Sequence, residues 1–465
     1  MYSIFLNIQK SKKIKQMKNK YIHYILVIIA YLSFSCEDYV DVEPLNTLSA
    51  SSALNSNEKV IGALNGVYNT MSSTALLGGD LIFVSELLGA DAKITFGGTF
   101  NDPRQIINKQ ILTTNSRVNN IFNIGYSTIN RANLVLEAID VVNEADRDRV
   151  EGEALFARAL IHFELVKLFG KPYSDGNASS NLGIVLKTEA SPFNGGDISS
   201  NCDSRSTVQQ VYDSVLTDLI TASTLVPSSN GIYANKATVN SVLARVYLQI
   251  GDYAGARNAA NDAINDSGAS MVPTYRFAFA QDANTSEDIF SIQVSEIDGV
   301  NGMNTFWAPS SQGGRGDVRL TDGFINFLTA QNRGLNANPN VAMIIGNYTT
   351  KWYNQFGNVQ MVRLPELLLI RAEANLELGT AVGATPQQDL DAVRTRVGLP
   401  SISATINNVL SERISELAFE GQYLHDFKRR QLTIEGFSFD ANELVLPIPQ
   451  NQINACPDTQ QNAGY

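Results

Sequence analysis

The chain of 465 residues is 44% hydrophobic and 17% charged, which excludes a largely disordered protein because disordered chains are poor in large apolar residues. Its net charge is −11, and removing the six lysines of the first 35 residues, which contain no acid, leaves −17 for residues 36–465. So acidic a chain is not expected to bind nucleic acid, and it disfavours acidic polysaccharides as ligands, although a local pocket of Arg or Lys could still take one.

The N-terminal segment is typical of an export signal. After two lysines, an apolar run extends from Tyr24 to Leu32 and is followed by small residues and Cys36. The run is too short to span a bilayer as a mature helix. We expect residues 1–35 to be a bacterial lipoprotein signal and Cys36 to become the lipidated first residue.

Two features of this signal leave alternatives open. Met17 is the expected true start, which would make residues 1–16 an extension of the gene model. The lipoprotein pattern prefers Leu three residues before the cysteine, where this chain has Ser33. An ordinary secretory signal with an incidental cysteine is therefore the alternative. A multiply acylated cysteine would supply the two-chain anchoring that stable membrane attachment needs.

Residues 36–50 form a predicted acidic tether. Four acids lie within seven residues and are followed by Pro44, and a solvated linker without further role is the alternative. After Cys36 the chain has only Cys202 and Cys456. These two could form a disulfide in an oxidising compartment, but their separation in sequence says nothing about their distance, so two unrelated thiols remain the alternative.

Helical periodicity dominates the rest of the chain. Apolar residues recur at a spacing of 3.6 residues, which predicts amphipathic helices. The predicted helices span residues 57–71, 121–142, 150–169, 207–225 and 364–379. A further apolar stripe, from Leu410 to Phe427, predicts continuous helix within residues 410–430.

The sharpest signal is a predicted helix pair at residues 238–264. Ala244 precedes Gly251 by seven residues, and alanines recur through the second helix. Glycine allows a tight turn and alanine lets two antiparallel helices approach closely, which is the spacing of a tetratricopeptide repeat. Ala372 and Gly379 repeat the first half of the pattern. We expect three to four such pairs in a mainly α, tetratricopeptide-like scaffold; a generic alanine-rich hairpin is the alternative.

Three irregular stretches interrupt this pattern within one domain that spans residues 51–465. They lie around residues 78–116, 174–206 and 270–350 and are rich in Gly, Asn, Ser and Thr. Long loops inside a compact domain are usually functional. We therefore expect the helices to form a frame and the insertions to carry any binding site.

Patterns for catalysis and metal binding are absent from the sequence. It contains no phosphate-binding loop, dinucleotide fingerprint or G-x-S-x-G elbow, and no zinc-ligand spacing. His162 and His425 lie in helical patterns and are expected to be packed or edge positions, and Glu412 and Glu416 are interpreted as solvated or ion-paired. We expect no cofactor, no metal and no enzymatic activity, although a glycosidase needs only two carboxyls across a cleft, a geometry that sequence does not reveal.

Aromatic residues in the insertions favour a binding function. Sugars stack their apolar faces on aromatic rings and form hydrogen bonds with amides and carboxylates. The candidates are Phe96, Phe100, Asn101, Phe306 and Trp307. Each of these rings could instead hold its own loop in place. Arg315, in the sequence GGRGD, could meet a carboxylate or support a turn.

Three segments carry longer motifs. LPIPQNQINACPDTQQNAGY (446–465) contains an L-P-I-P-Q run and ends in Q-N-A-G-Y. ERISELAFEGQYLHDFKRR (412–430) has the form E-R-x-x-E-L-x-x-E-G, and RLPELLLIRAEANLELG (363–379) has the form R-x-x-E-x-x-L-x-x-A-E-A. Together with INRANLVLEAI (129–139) and the acidic tract after the first cysteine, they resemble the SusD/RagB family of cell-surface nutrient-binding lipoproteins of Bacteroidota. The chain departs from that family at Ala463, where Pro is usual, at Cys456, and at Tyr423 and Phe427, which replace Arg and Leu.

The resemblance implies an α fold of four tetratricopeptide-like helix pairs that cradle a loop-rich subdomain. It implies a protein anchored to the outer membrane by its lipid and facing the cell exterior. It also implies a partner, a SusC-like TonB-dependent outer-membrane transporter, on which the lipoprotein closes as a lid to capture an oligosaccharide or a peptide. Asp91, Phe96, Phe100 and Asn101 occupy the region that resembles one wall of the family site, and Trp307 the region that resembles the opposite wall.

Two other functions compete with a glycan-binding lid. One is a tetratricopeptide scaffold lipoprotein that binds other proteins, and the other is a secreted glycosidase. Loop aromatics exposed on one face would favour glycan binding. A hydrophobic concave groove along the helices would favour the scaffold, and two carboxyls facing each other at about 5–10 Å would favour the glycosidase.

Overall fold

The structure is a computed structural model that describes residues 53–191, 202–297, 299–335 and 342–465. The predicted signal (1–35) and the whole predicted tether (36–50), including Cys36, lie outside these residues. The described helices are α1 (Asn57–Met71), α2 (Asp80–Leu88), α3 (Asn101–Ile107), α4 (Ser116–Glu137), α5 (Glu144–Phe169), α6 (Val208–Leu225), α7 (Lys236–Ile250), α8 (Tyr253–Ser267), α9 (Gly302–Trp307), α10 (Asp322–Ala330), α11 (Leu364–Leu378), α12 (Pro386–Arg396), α13 (Ile406–Glu416), α14 (Tyr423–Arg429) and α15 (Gln450–Ala455). The described strands are β1 (Ile94–Phe96), β2 (Asp288–Ile292), β3 (Val318–Leu320), β4 (Ile344–Ile345), β5 (Tyr348–Thr349) and β6 (Val359–Arg363).

The mainly α architecture predicted from the sequence is confirmed. The long helices pack in chain order, α4 on α5, α5 on α6, α7 on α8, and α11 on both α8 and α12. The strands form only three two-stranded antiparallel sheets, β1 with β3, β2 with β6, and β4 with β5. Among the described residues, no helix is long and apolar enough to cross a membrane.

The predicted helix pair at 238–264 forms as α7 and α8. Asn235 and Asp252 cap their N-termini with side-chain oxygens. Gly251 ends α7 in the left-handed conformation with a φ of 79°, which a side chain would disfavour. Ala244 and Ala260 are fully buried, so small residues do lie where the two helices meet.

The predicted continuous helix at 410–430 is wrong. Helix α13 ends at Glu416 and α14 begins at Tyr423. Between them Phe419 and Gly421 take φ values of 67° and 78°, which no α-helix accommodates. The break brings the backbone N–H of Gly421 to Glu86, whose Oε1 accepts it at 2.8 Å. The apolar stripe continues through the break because both halves face the same core.

The first insertion contains more regular structure than its composition predicted. Helix α2 follows the Gly-rich turn at 78–79, and all of its residues from Leu81 to Leu88 are buried. Gly79 permits this packing, since a Cβ there would lie 3.0 Å from the backbone of Gly302. Strand β1 and helix α3 then return the chain to α4. The exposed residues of this insertion all follow helix α2, from Ala92 onward.

A buried ionic cluster joins the C-terminal helices to the third insertion. Four carboxylates and five cations belong to it: Glu287, Glu412, Glu416, Glu420, Arg333, Lys351, Arg363, Arg394 and Arg396. Its glutamates at 412, 416 and 420 are those of the E-R-x-x-E-L-x-x-E motif. The ion-paired interpretation of Glu412 and Glu416 is confirmed, and neither is exposed.

The C-terminal motif holds the end of the chain by side-chain hydrogen bonds to backbone. Gln461 pairs with both the N–H and the C=O of Ile448, at 2.7 Å each. Asn462 donates to the carbonyls of Phe169 and Leu446 at 2.9 and 2.7 Å. Cys456 forms a disulfide with Cys202, 254 residues earlier, with the Cα atoms 5.3 Å apart. Of the two possibilities that the sequence left open, the structure therefore contains the disulfide.

Candidate functional site

Pairing of β1 with β3 brings the first insertion against the third. Thr95 lies opposite Arg319 and Phe96 opposite Val318, and the N–H of Gly97 continues the ladder with a 2.7 Å hydrogen bond to the carbonyl of Asp317. The exposed residues of these two strands and of the segments next to them form one surface. We call it the Phe100 surface, and it consists of Thr95, Thr99, Phe100, Asn101, Arg104, Arg315 and Arg319, all exposed.

A stack of phenylalanine rings supports this surface from below. Phe83 and Phe306 stack with ring centroids 4.6 Å apart, and the ring of Phe100 meets Phe306 edge-on at 6.2 Å. Phe83 is fully buried and Phe306 is 8% exposed, whereas Phe100 is 49% exposed. Phe96 also contacts Phe83, with centroids 6.5 Å apart. Phe100 is thus the solvent-facing end of a ring stack whose inner members are fixed in the core.

Arg315 covers part of the exposed ring. Its guanidinium carbon lies 4.6 Å from the centroid of Phe100, a distance typical of a cation–π contact. Its Nε donates to Asp317 Oδ2 at 2.7 Å and its Nη2 to Thr99 Oγ1 at 3.4 Å. The Arg315 side chain remains 40% exposed while that of Asp317 is 9% exposed. The buried carboxylate therefore orients a guanidinium that still faces solvent.

Gly98 makes this close approach possible. A Cβ at this position would lie 2.6 Å from both Cγ of Asp317 and Cζ of Phe96, well inside van der Waals contact. Its carbonyl also accepts a 2.6 Å hydrogen bond from Nη2 of Arg104. The glycine therefore lets the strand, the buried carboxylate and the arginine of α3 meet at one point.

A second ion pair lies under the ring stack. Arg117 donates to Asp80, and its guanidinium carbon is 4.8 Å from the centroid of Phe306. Burial raises the pKa of Asp80 to about 6, although the neighbouring Arg117 acts in the opposite direction. These groups contact the buried side of the stack, so we assign them to supporting Phe100 rather than to contacting a ligand.

Trp307 does not lie on the surface where the sequence analysis expected it. Its side chain is fully buried and packs on Phe419, with ring centroids 5.1 Å apart. Its Nε1 has no hydrogen-bond partner among the described residues. The expectation that Trp307 forms an opposite, sugar-stacking wall is therefore not supported, because helix α9 points this ring into the core. Phe306, on the same helix, likewise supports Phe100 from beneath.

Asp91 contacts a different part of the molecule from Phe100. It has a φ of 43°, and its carboxylate accepts hydrogen bonds from the Tyr423 hydroxyl and, at 2.7 Å, from the N–H of Glu435. Burial, together with Asp91, raises the pKa of Tyr423. Both oxygens of Asp91 have protein donors, so its observed role is to join the first insertion to α14. Its predicted part in ligand binding has no support in these contacts.

The structure adds residues that the sequence analysis did not identify. Arg104, Arg319 and Thr99 share the surface with Phe100, and Tyr348 lies beneath Arg319, 5.8 Å from its guanidinium carbon. Alternation along β3 is a signal that could have found Arg319, since Asp317 and Arg319 are separated by one buried residue. Arg104 had no such signal, because its placement depends on the start of α3.

The histidines occupy the packed positions that the sequence analysis expected. Burial lowers the pKa of His162 to about 3, with Arg158 adding to the effect, and burial also lowers the pKa of His425 well below its usual range. Both rings are therefore neutral at physiological pH. Within the described ranges, no group of three or more His, Cys, Asp or Glu side chains could hold a metal ion. The arrangement around Phe100 can bind a ligand by stacking and hydrogen bonding.

Comparison with known families agrees with this architecture. Residues 38–248 match a SusD-like family described as starch-binding and associating with the outer membrane, and residues 323–445 match the SusD family. The chain belongs to the SusD/RagB family. The two matched regions include residues 129–139, 363–379 and 412–430, which are three of the segments that carried the resemblance in the sequence.

Individual relatives of this SusD/RagB protein are distant but span its length. SusD-like protein P2 of Formosa agariphila is 26% identical over 530 aligned residues, which cover 97% of this chain and all of that protein. A SusD superfamily structure from Bacteroides thetaiotaomicron is 25% identical, with a TM-score of 0.73, and covers 88% of this chain and 99% of the other. A laminarin-binding SusD-like protein has a TM-score of 0.70 at 21% identity, over 88% of this chain and all of the other.

Proposed function

We propose that this protein captures an oligosaccharide at the Phe100 surface and delivers it to a SusC-like TonB-dependent transporter. The observation that carries the proposal is the Phe100 ring, half exposed at the end of a buried ring stack. A phenylalanine so placed is an apolar platform whose orientation is set before a ligand arrives. Preorganisation of this kind reduces the entropy that binding costs.

The neighbours of the ring suit a sugar. An aromatic face takes the apolar C–H face of a pyranose, while hydroxyl, amide and guanidinium groups satisfy the sugar hydroxyls. Thr99, Asn101 and Arg315 supply these groups within the same turn of chain or across the β1–β3 pair. The fold is also that of a laminarin-binding protein, which supports a glycan as the ligand class over a peptide.

Attachment to the outer membrane through Cys36 is part of the proposal. The matching family is described as associating with that membrane, and the Cys202–Cys456 disulfide suits an oxidising compartment outside the cytosol. A lipid-anchored binder that faces outward would act as the lid of the transporter barrel. We propose no catalytic role, because the paired glutamates of the sequence, Glu412 and Glu416, are neutralised in the core.

The experiment that tests glycan capture compares two exposed phenylalanines. Phe100→Ala should weaken binding to the best glycan of an array by about 1–3 kcal/mol, the cost of removing a central aromatic contact. The matched control is Phe277→Ala, since Phe277 is 44% exposed in a separate segment, the turn at Tyr275–Phe279. Isothermal titration of both variants gives the affinities, and thermal unfolding confirms that both are folded.

Two outcomes would count against this proposal. Equal affinities for both variants would remove Phe100 from the binding site. Failure of the unmodified protein to bind any glycan of the array would favour the alternative of a tetratricopeptide-type scaffold for proteins. Delivery is tested separately, by co-expressing the protein with a SusC-like barrel from the same genome and asking whether the two co-elute in detergent.

A further inference from the structure

We propose that the Phe100 surface selects glycans that carry carboxylate or sulfate groups. This inference rests on the proposed function, because it names the chemical class of ligand for the same site. It arises from a local contrast: residues 36–465 carry a net charge of −17, yet three exposed arginines, at positions 104, 315 and 319, belong to the same surface as the Phe100 ring.

Arg319 is a cation without a carboxylate partner among the described residues. It lies exposed on β3 opposite Thr95, and its recorded contact is with the ring of Tyr348, 5.8 Å away. The two-residue period of a strand places it on the same face as Asp317, whose carboxylate holds Arg315 over Phe100. Arg319 and Phe100 therefore lie on the same side of the β1–β3 pair.

Arg104 contacts the loop before Phe100 from helix α3. It is exposed on α3, four residues after Phe100, and one of its terminal nitrogens donates to the carbonyl of Gly98. It has no ion pair within the described ranges. The nearby acid, Asp102, accepts a hydrogen bond from the hydroxyl of Ser116, so it is directed toward the start of α4 rather than toward Arg104.

The three arginines are not equivalent. Arg315 is neutralised by Asp317, so it can orient a ligand without adding net charge. Arg104 and Arg319 contribute to this surface two positive charges that have no ion pair within the described residues. Guanidinium groups match carboxylates and sulfates in a bidentate geometry that lysine does not offer. A sugar stacked on Phe100 would then present a negatively charged substituent to one or both of them.

Because the rest of the protein is acidic, selectivity for an anionic glycan would have to come from contacts at the Phe100 surface itself. A chain with a net charge of −17 repels a polyanion at long range, so adsorption to anionic glycans without a specific site is disfavoured. Binding of such a glycan would have to come from short-range contacts. The large net negative charge also makes the inference testable. Removing two arginines changes the net charge of the whole molecule very little, so a large loss of binding would come from lost contacts at the site.

The experiment uses the folded chain from residue 37 onward and matched pairs of polysaccharides in affinity gel electrophoresis. Polygalacturonate and alginate are each compared with their carboxyl-reduced products, and a sulfated galactan with its desulfated product; laminarin serves as a neutral glycan. The variants are Arg319→Gln, Arg104→Gln and the double variant. Arg131→Gln is the control for each single variant, because Arg131 is an exposed arginine on α4 with no ion pair in the described part of the chain and its loss changes the net charge by the same one unit.

We expect at least one anionic glycan to bind more tightly than its neutral product. The double variant should weaken that binding at least tenfold, while Arg131→Gln leaves it within twofold. Arg319→Lys should bind that glycan more tightly than Arg319→Gln but less tightly than the unmodified protein, because lysine keeps the positive charge but lacks the two parallel N–H donors of a guanidinium group. The uronate and sulfate pairs show which anionic group is recognised.

Binding of neutral glycans only, with the double variant unchanged, would overturn the charge selectivity and leave the proposed glycan capture intact. The charge selectivity would also be overturned, with glycan capture intact, if an anionic glycan binds but Arg131→Gln weakens its binding as much as the double variant does. If none of the polysaccharides binds the unmodified protein, both the selectivity and the proposed function fail.

Discussion

Arg333 and Glu416 face each other in the interior, with Nη2 of the arginine 2.8 Å from Oε2 of the glutamate and neither side chain exposed. Arg333 follows helix α10 in the third insertion, and Glu416 ends α13. The contact therefore ties the inserted loops to the helical frame. Arg363 and Arg396 reach the other oxygen of the same carboxylate, at 3.2 and 2.5 Å. The E-R-x-x-E-L-x-x-E motif thus supplies the anchor on which the third insertion is fixed.

Removing this anchor should destabilise the protein strongly. We expect Glu416→Ala to lower the free energy of unfolding by about 3–5 kcal/mol, because it leaves buried guanidinium groups without their counter-ion. Asp146→Ala, which breaks a partly exposed pair with Arg149, should cost less than about 1 kcal/mol. Urea unfolding monitored by circular dichroism gives both values. Similar losses for the two variants would show that the cluster does not anchor the insertion.

Acid should weaken the fold through the same cluster. Burial alone would raise the pKa of Glu416, but the positive charges of Arg396, Arg333 and Arg363 outweigh burial and hold this pKa well below its usual range. The pKa of Glu420 is also lowered, because Arg363 and Lys351 outweigh the effect of its burial. A carboxyl whose folded pKa lies below its unfolded value stabilises the protein above the unfolded pKa, about 4.3 for Glu, and that stability is lost as the pH falls further.

The two buried histidines add an earlier loss. Burial holds the pKa of His162 at about 3 and that of His425 well below its usual range, so the unfolded chain takes up protons near pH 6.5 that the folded chain does not bind. Stability should therefore begin to fall below about pH 6.5 and fall more steeply below about pH 4.5, by roughly 1.4 kcal/mol per pH unit for each proton. Melting temperatures measured from pH 7 to pH 3 give this dependence, and in Glu416→Gln the melting temperature should fall less steeply below about pH 4.5. A melting temperature that stays level down to pH 4 contradicts the expectation.

The disulfide should stabilise the closing segment. Cys202 and Cys456 are joined across 254 residues, so the link restricts a long loop in the unfolded chain and should contribute about 2–5 kcal/mol. Cys202→Ser, Cys456→Ser and the double variant should each lower the melting temperature by the same amount. In a chain that begins at residue 37, thiol titration of the unfolded protein should find no free thiol before reduction and two afterwards. Two free thiols before reduction would contradict the pairing.

Trp307 and Phe100 should respond oppositely to substitution. Trp307→Ala removes a fully buried ring and should cost about 3–5 kcal/mol of stability, whereas Trp307→Phe keeps much of the volume, removes an unpaired Nε1 and should cost less. Phe100→Ala should leave stability nearly unchanged and weaken glycan binding. Parallel thermal unfolding and titration separate the two effects. A Trp307→Phe variant that is stable but has lost glycan binding would show that Trp307 belongs to the binding site.

The helical frame could be predicted because its signals are local. Helix α1 has the predicted bounds, and Val60, Leu64, Val67 and Met71 all face the core. The turn at Gly251 could be predicted for the same reason, since a left-handed residue between two amphipathic stretches needs no distant partner. The break after Glu416 could not, because Phe419 accepts an unfavourable φ only where contacts from other segments hold it.

The candidate site was predicted in part. Phe100 and Arg315 do meet, and Phe96 contacts the ring stack below them through Phe83, but only because β1 pairs with a strand more than 200 residues later. The exposure of each ring depends on that pairing: it leaves Phe100 at the surface and buries Phe306 beneath it. Asp91 and Trp307 were grouped with them by position along the chain, which carries no information on the direction of a side chain.

By itself, the sequence determined the helical frame and the family, because periodicity, turn residues and motifs act over a few residues at a time. Only the tertiary structure decided which aromatic side chains face solvent, that Cys202 and Cys456 are joined, and that Arg104 and Arg319 share one surface with Phe100. The physical reason is that burial, pairing and local charge arise from contacts between segments far apart in the chain. No pattern within a single segment records those contacts.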